Sequence, residues 1–216
     1  DVKGWNFIDN TNDPMDDNFI GHGTAVAGII GALGNNDFSG MVGVSWHAQL
    51  MSVKVLDAQG FAAIDKLADA IYYASRNGAD VLNMSWQIDS YSQALADAIN
   101  YAHSLGAVLV ASAGNDNANV NGRYPASLPH IICVAAWQYD DQRSFLSNFG
   151  DEIDVTAPGQ FVLSLRSSQS NNFGFPDPYY TIYGLINDTA YWPTSFAAAH
   201  VSGVAALMLS LKPTLT

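Results

Sequence analysis

Two kinds of hydrophobic pattern alternate along this chain, and their alternation limits the folds it can adopt. Short apolar runs rich in β-branched residues are typical of buried strands, and they occur at 50–56, 80–86, 107–113 and 131–136. Between them, apolar residues recur at helical spacing over 61–76 and 91–104. Gly78 and Gly106 follow these segments and would end the two helices.

Strands that alternate with helices through short links predict an α/β fold. It would be doubly wound, with a mostly parallel sheet covered by helices on both faces. Segments 24–33 and 194–211 are rich in Ala, Gly and Val, and we expect them to be buried helices. Segment 167–178 is rich in Ser, Asn, Gly and Pro and predicts a surface loop. The 216 residues suit a single domain.

Composition excludes several classes of protein. Hydrophobic residues make up 49% of the chain, which is too apolar for a disordered protein. A net charge of −12 disfavours nucleic acid and anionic membranes as partners. The apolar runs considered for spanning a bilayer are too short, so no membrane insertion is expected. Cys133 is the only cysteine and lies in an apolar strand, so we expect an inert core thiol. Nothing in the sequence indicates an oligomeric state.

One histidine has neighbours that suggest chemistry. His22 lies between Gly21 and Gly23, directly before a helix of small residues. The glycines permit a sharp turn and leave the imidazole open to a neighbouring group. A turn of this kind is weak evidence when taken alone. No two histidines have the helical spacing of metal ligands, which disfavours a metalloenzyme.

Ser195 and Asn115 each have a structural and a chemical interpretation. Ser195 opens the last predicted helix, where the helix dipole would favour negative charge on a nucleophile. A serine that only caps the helix is the commoner case. Asn115 follows the predicted strand 107–113 and is either a turn residue or an amide that stabilises an oxyanion on Ser195.

Together, and in this order, these residues resemble the subtilase family of serine peptidases. The motifs that carry the resemblance lie at 21–28, 83–86, 113–115, 124–126, 154–159, 194–197 and 200–203. The resemblance implies a seven-stranded parallel sheet with the site at the carboxyl ends of its strands. It also implies His22 as general base, Ser195 as nucleophile, and Asn115 with the Ser195 N–H as the oxyanion hole. No cofactor is required for this chemistry.

The same resemblance implies how a polypeptide substrate binds and where the protein acts. An extended peptide would pair with backbone on two sides, and the first pocket would lie beyond it. The residues concerned are Gly60, Phe61, Ala62, Ser85, Trp86, Gln87, Ala113, Gly114 and Arg123. The Arg123 guanidinium would favour an acidic side chain in that pocket. Alternatively, Phe61 and Trp86 pack internally, and Arg123 faces solvent or pairs with Asp116. The family also implies a secreted or cell-envelope protein.

The chain departs from the family pattern in three respects. The Asp-Thr-Gly or Asp-Ser-Gly motif of the triad aspartate is absent. We therefore expect a catalytic domain truncated at both ends, nearly inactive alone, with two strands unpaired. Pro193 replaces a glycine and Ala199 replaces a proline, which puts the position of the Ser195 hydroxyl in question. The alternative to a peptidase is a peptide-binding pseudoprotease or an inactive fragment.

An acidic segment before His22 suggests a structural cation. Asp9, Asp13 and Asp16 lie in a turn-rich stretch, and dense carboxylates suit Ca²⁺. The alternative is a solvated acidic loop. Segment 35–37, Asn-Asn-Asp, is a second and weaker candidate.

Overall fold

The computed structural model describes residues 4–34, 40–168, 180–183 and 192–215, with the backbone alone at 180–183. The helices are α1 (His22–Gly31), α2 (Ile64–Arg76), α3 (Gln93–Ser104) and α4 (Pro193–Leu211). The strands are β1 (Trp5–Asn6), β2 (Val53–Lys54), β3 (Val81–Met84), β4 (Val108–Ser112), β5 (Ile131–Trp137), β6 (Val155–Pro158), β7 (Val162–Leu165) and β8 (Tyr180–Tyr183). Most of the predicted loop 167–178 lies outside these residues.

The main sheet is parallel, with strand order β3-β4-β5-β6. Successive residues of β4 point to opposite faces. Leu109 packs in a core with residues of α2 and α3, whereas Val110 packs with Ala197 of α4 on the other face. The sheet is therefore covered by helices on both faces, and the predicted α/β class is confirmed.

Helix α2 begins three residues later than its periodicity predicts. Phe61 belongs to a turn in which its N–H donates to the Asp57 carboxylate and its carbonyl accepts from the Asp57 N–H, each at 2.9 Å. The helix can start only after this turn, at Ile64. Leu67 and Ile71 then lie on its buried face, as the spacing indicates.

Helix α1 begins two residues earlier than predicted, at His22. The Asp16 carboxylate accepts hydrogen bonds from the Thr24 N–H at 2.7 Å and its hydroxyl at 2.8 Å. Asp16 thus satisfies a donor of the first turn from outside the helix. Gly21 has φ +75°, and a Cβ there would lie 2.7 Å from that of Ser167. Glycine is therefore required immediately before the histidine.

Helix α4 is buried only over its first half. Phe196 and Ala199 are fully buried, whereas Leu207 and Leu211 are exposed. Pro193 occupies the first helical turn, where proline fits well, and the helix runs through Ala199 without a break. Within the described residues, this 19-residue helix is long and apolar enough to cross a membrane by length and composition alone. Core helices of soluble proteins have the same character, so the absence of membrane insertion stays a prediction.

The two parallel sheets are separated by a cleft. Strands β1 and β2 form a two-stranded sheet of their own, and β2 and β3 belong to different sheets. A cavity of about 2050 Å³ lies between them and is lined by residues 48–57 and 77–88. The described residues thus show parallel sheets of two and four strands, and an antiparallel pair β7-β8, in place of the expected continuous seven. The predicted strand 50–56 is reduced to Val53–Lys54, and the unpairing of two strands by truncation stays a prediction.

Candidate active site

Ser195 is anchored to the end of strand β3 by a chain of hydrogen bonds. It is the third residue of α4, and its carbonyl accepts from the Ser85 hydroxyl at 3.1 Å. Ser85 Oγ in turn accepts from Asn83 Nδ2, and Ser202 Oγ donates to Asn83 Oδ1, both at 2.9 Å. The Ser195 N–H donates to the Trp192 carbonyl at 3.1 Å. To act as an oxyanion donor, that N–H would have to donate to the oxyanion as well as to the Trp192 carbonyl.

Asn115 is held in one orientation by the residue before the serine. The N–H of Thr194 donates to Asn115 Oδ1 at 3.1 Å, and the Thr194 hydroxyl donates to it at 2.8 Å. Because a backbone N–H can only donate, the atom that faces it must be the amide oxygen. The Nδ2 group is then free to donate elsewhere. The sequence indicated Thr194 only as a member of the motif at 194–197 and predicted no role for it.

Asn148 fixes the loop that carries Asn115. It is fully buried, and its Oδ1 accepts from the N–H groups of Asp116 at 3.0 Å and Ala118 at 2.9 Å. Its Nδ2 donates to the Ala113 carbonyl at 2.8 Å. A buried amide satisfied on both sides holds its neighbours rigidly. No pattern in the sequence predicted this contact, because its partners lie about thirty residues away.

His22 is the first residue of α1 and lies against aromatic rings. Its imidazole meets Trp192 edge-on at a centroid distance of 5.0 Å and lies 6.5 Å from the Phe196 ring. Burial lowers the pKa of His22 from 6.5 to about 4, and the negative charge of Asp16 acts in the opposite direction. The imidazole is therefore neutral at pH 7, and in this chain it is a weaker proton acceptor than a free imidazole. The Asp16 carboxylate itself accepts hydrogen bonds from Thr24.

The cleft collects most of the residues that the sequence predicts for the site. His22, Asn115 and Ser195 all line it. Of the predicted substrate-binding residues, it is also lined by Gly60, Phe61, Ala62, Ser85, Trp86, Gln87 and Gly114. Ala113 is fully buried, and Arg123 does not line the cleft.

Phe61 and Trp86 differ in their surroundings. The Phe61 side chain is 74% exposed, so internal packing does not account for it. Trp86 packs against the core beneath α2 and α3, as its structural interpretation predicts. Both backbone hydrogen-bonding groups of Phe61 are engaged with Asp57. The Gly60 N–H also donates to the Asp57 carbonyl, at 3.0 Å. A peptide that pairs with this segment would have to use the Gly60 carbonyl and the backbone of Ala62.

Arg123 is paired with two carboxylates. Its guanidinium lies 2.5 Å from Asp89 Oδ1 and 3.8 Å from Asp116 Oδ2. Pairing with Asp116 was one of the two alternatives left open by the sequence. The positive charge expected to attract an acidic substrate is already offset by these neighbours.

Carboxylates of the acidic segment before His22 already accept hydrogen bonds from neighbouring residues of the same segment. Asp9 accepts from Asn6 Nδ2 at 3.0 Å, and Asp13 accepts from the Met15 N–H at 3.2 Å. Within the ranges that the structure describes, no three side chains of His, Cys, Asp or Glu could hold a metal ion. Calcium at Asp9, Asp13 and Asp16 stays a prediction. The weaker candidate at 35–37 lies outside the described residues.

Cys133 is buried in strand β5, as predicted. Burial raises the pKa of its thiol to about 12, and the charges of Asp154 and Glu152 add to the effect. The group therefore remains a neutral thiol at physiological pH and has no nucleophilic character.

A parallel sheet with a serine at a helix start, a neutral histidine and an oriented asparagine defines a class of serine peptidase. The family model described as the subtilase family, peptidase S8, matches residues 1–216. The chain belongs to the subtilase family.

Individual relatives agree with this assignment. The chain is 39% identical over 210 residues to a thermophilic serine proteinase of Bacillus sp. (strain AK1), covering 97% of this chain and 47% of that protein. It is 38% identical over 204 residues to an extracellular protease of Xanthomonas campestris, covering 89% and 33%. The crystal structure of a cold adapted subtilisin-like serine proteinase superposes with a TM-score of 0.81 at 31% identity, covering 99% and 69%. The chain thus spans about half the length of the Bacillus relative.

Proposed function

We propose that the whole protein is a serine endopeptidase that hydrolyses polypeptides through an acyl-enzyme on Ser195. The observation that carries the proposal is the orientation of Asn115 by Thr194, beside a serine and a neutral histidine on one cleft. His22 would take the Ser195 proton as the hydroxyl attacks the peptide carbonyl. Asn115 Nδ2 would donate to the oxyanion. His22 would then protonate the leaving amine, and water would release the acyl group.

The base needs a group that orients its imidazole. In this mechanism a carboxylate holds the correct tautomer and stabilises the imidazolium. Asp16 is not suited to that role, because its carboxylate is engaged with Thr24. We place the carboxylate on a further strand of the whole protein, in the cleft between β2 and β3. The position of His22 on the lining of that cleft supports this placement.

The substrate would be an extended polypeptide. Segments 60–62 and 85–87 both line the cleft that contains Ser195. A peptide laid between them would gain backbone hydrogen bonds without regard to most of its side chains. Broad sequence selectivity is the expected consequence.

Labelling of Ser195 tests the reaction. The whole protein should react stoichiometrically with an organophosphorus reagent, and mass spectrometry should locate the adduct on Ser195. Ser195→Ala should remove the labelling, whereas Ser210→Ala, which changes an exposed serine of the same helix, should not. Peptide binding without labelling would indicate a pseudoprotease, an alternative that the named relatives do not favour.

We also propose that the protein is secreted, on the support of the relative named an extracellular protease. The protein and its activity should be found in the culture supernatant of the source cells. A cytosolic marker enzyme should remain with the cells. Retention of the protein with that marker would contradict secretion.

A further inference from the structure

The Gln87 side chain bridges two walls of the cleft beside Ser195. Its Nε2 group donates to Asp116 Oδ2 at 2.8 Å and to Asp89 Oδ1 at 3.0 Å. Asp116 belongs to the segment that carries Asn115, whereas Gln87 lies two residues beyond Ser85. The amide therefore ties the segment at 85–89 to the segment at 113–116.

The other end of the same amide lies directly over Gly114. A Cβ at Gly114 would be 1.8 Å from Gln87 Oε1 and 2.4 Å from Asn148 Nδ2. The space that a side chain at position 114 would occupy is thus filled by Gln87. Asn148 Nδ2 also approaches Gln87 Oε1 at 3.5 Å, which restricts the amide from below.

Arg123 stabilises this arrangement from outside the cleft. Its guanidinium approaches both carboxylates that accept from Gln87. In addition, the backbone N–H groups of Ile88 and Tyr124 each donate to the other's carbonyl, at 2.8 and 2.9 Å. The residue after Gln87 is therefore fixed by a short backbone bridge, and the Gln87 amide is held by two carboxylates.

The position matters because the walls it joins also position the reacting groups. Ser85 Oγ bonds the Ser195 carbonyl, and Gly114 directly precedes Asn115. Gln87 and Gly114 line the same cleft as Ser195 and Asn115. A peptide carbonyl held between Ser195 and Asn115 would therefore bring its own side chain close to the recess between the segments at 85–89 and 113–116, which the Gln87 amide crosses.

We propose that Gln87 determines substrate specificity by closing this recess, so that the residue contributing the cleaved carbonyl must be small. Ala, Ser and Gly fit in front of the amide. Phe, Leu and Met would have to displace it and break its bonds to Asp89 and Asp116. The inference rests on the proposed peptidase function and adds the class of side chain that the site accepts.

The test compares peptide substrates of the whole protein that differ only at the residue before the cleaved bond. We expect kcat/KM for the Ala peptide to exceed that for the Phe peptide by about tenfold or more. Gln87→Ala should raise the Phe-to-Ala ratio by about tenfold or more, and Gln87→Asn should raise it less. Gln93→Ala, which truncates an exposed glutamine at the start of α3, is the matched control and should leave the ratio unchanged.

The outcomes separate this inference from the proposed function. Hydrolysis of the Ala peptide that is lost in Ser195→Ala, with the same ratio in wild type and Gln87→Ala, would overturn the role of Gln87 alone. No hydrolysis of any peptide would overturn both. If Gln87→Ala melts far below wild type, the Gln87→Asn ratio decides, because that variant keeps an amide on the same segment.

Discussion

The two sides of the cleft are built differently. Ser195 and Asn115 lie on segments tied to the main sheet by direct hydrogen bonds, through Ser85, Thr194 and Asn148. His22 lies on α1, and its ring is held by contacts with Trp192 and Phe196. Hydrogen bonds therefore fix the side with Ser195 and Asn115. The side with His22 depends on packing and on a group that would occupy the cleft.

This difference indicates which part of the proposed mechanism the 216 residues assemble on their own. A polar network with every partner in place is rigid, and it fixes a donor within a narrow range of positions. Contacts with two aromatic rings place the His22 imidazole, but they lack the directional constraint that a hydrogen bond supplies. We call the side with Ser195 and Asn115 the oxyanion side, and the side with His22 the base side. We expect the oxyanion side to be preorganised in this chain and the base side to be incomplete.

The largest expected effect comes from the carboxylate-bearing strand that we place in the cleft of the whole protein. The 216-residue chain alone should have kcat/KM lower than the whole protein by roughly 10⁴, the size of the loss measured on subtilisin, a member of the same family, when its aspartate is removed. It should also bind a hydrophobic dye such as ANS and aggregate, because two strand edges face the cleft. Activity assays and light scattering on both proteins check this. Equal activity would show that the base side is complete without further residues.

Disruption of the oxyanion side should have the next largest effect. Asn115→Ala should lower kcat by roughly 10²–10³, a range also measured on subtilisin. Thr194→Val should cost less, about tenfold, because the Thr194 N–H still holds Asn115 Oδ1. Thr194→Ser keeps the hydroxyl and should restore most of the activity. A kcat unchanged in Asn115→Ala would show that the oriented amide does not contact the substrate.

A pair of glycine substitutions measures how tightly this side is packed. Gly114→Ala should destabilise the whole protein by roughly 3 kcal/mol or more, because the new Cβ meets Gln87 and Asn148 and because φ is +99°. Gly122→Ala has a similar φ of +82° but nothing within 4 Å, so about 1 kcal/mol is expected. Urea unfolding of both variants provides the comparison. Equal losses would mean that backbone strain alone accounts for Gly114.

The smallest expected effect is a shift in the pH dependence of the base side. Burial lowers the pKa of His22 to about 4 in this chain, and a carboxylate brought into the cleft should raise it again. The pH profile of kcat/KM for the whole protein should therefore have its acid midpoint above 4. Asp16→Asn should lower the midpoint because a negative charge is lost. Asp17→Asn, which removes an ion pair to Lys54, is the neighbouring control.

The same pKa sets the sign of a stability effect. An unfolded chain with a His22 pKa of 6.5 binds a proton that the folded state, with a pKa of about 4, does not. The stabilisation is therefore complete above pH 6.5 and is lost as the pH falls towards 4. His22→Gln should weaken this dependence in urea unfolding across that range. If the acid midpoint of kcat/KM in the whole protein lies at pH 4, this would contradict a carboxylate in the cleft.

Local patterns in the sequence were sufficient for the fold class, and together with the family resemblance they named three candidate site residues. The spacing in 61–76 and 91–104 predicted α2 and α3, because the apolar residues that form one buried helical face are only three or four positions apart in the sequence. His22, Asn115 and Ser195 were proposed because each lies in a short motif at the end of a strand or the start of a helix. Their meeting at one cleft follows from the parallel arrangement of the strands.

Tertiary structure alone decided the contacts between distant segments. Ser85 bonds Ser195 across 110 positions, and Asn148 reaches back about thirty residues to the Asn115 loop. The pairing of Arg123 with Asp89 and the placement of Gln87 over Gly114 have the same origin. A hydrogen bond requires a donor and an acceptor about 3 Å apart. The number of residues between two distant segments does not predict such a distance, because only the fold brings the segments together.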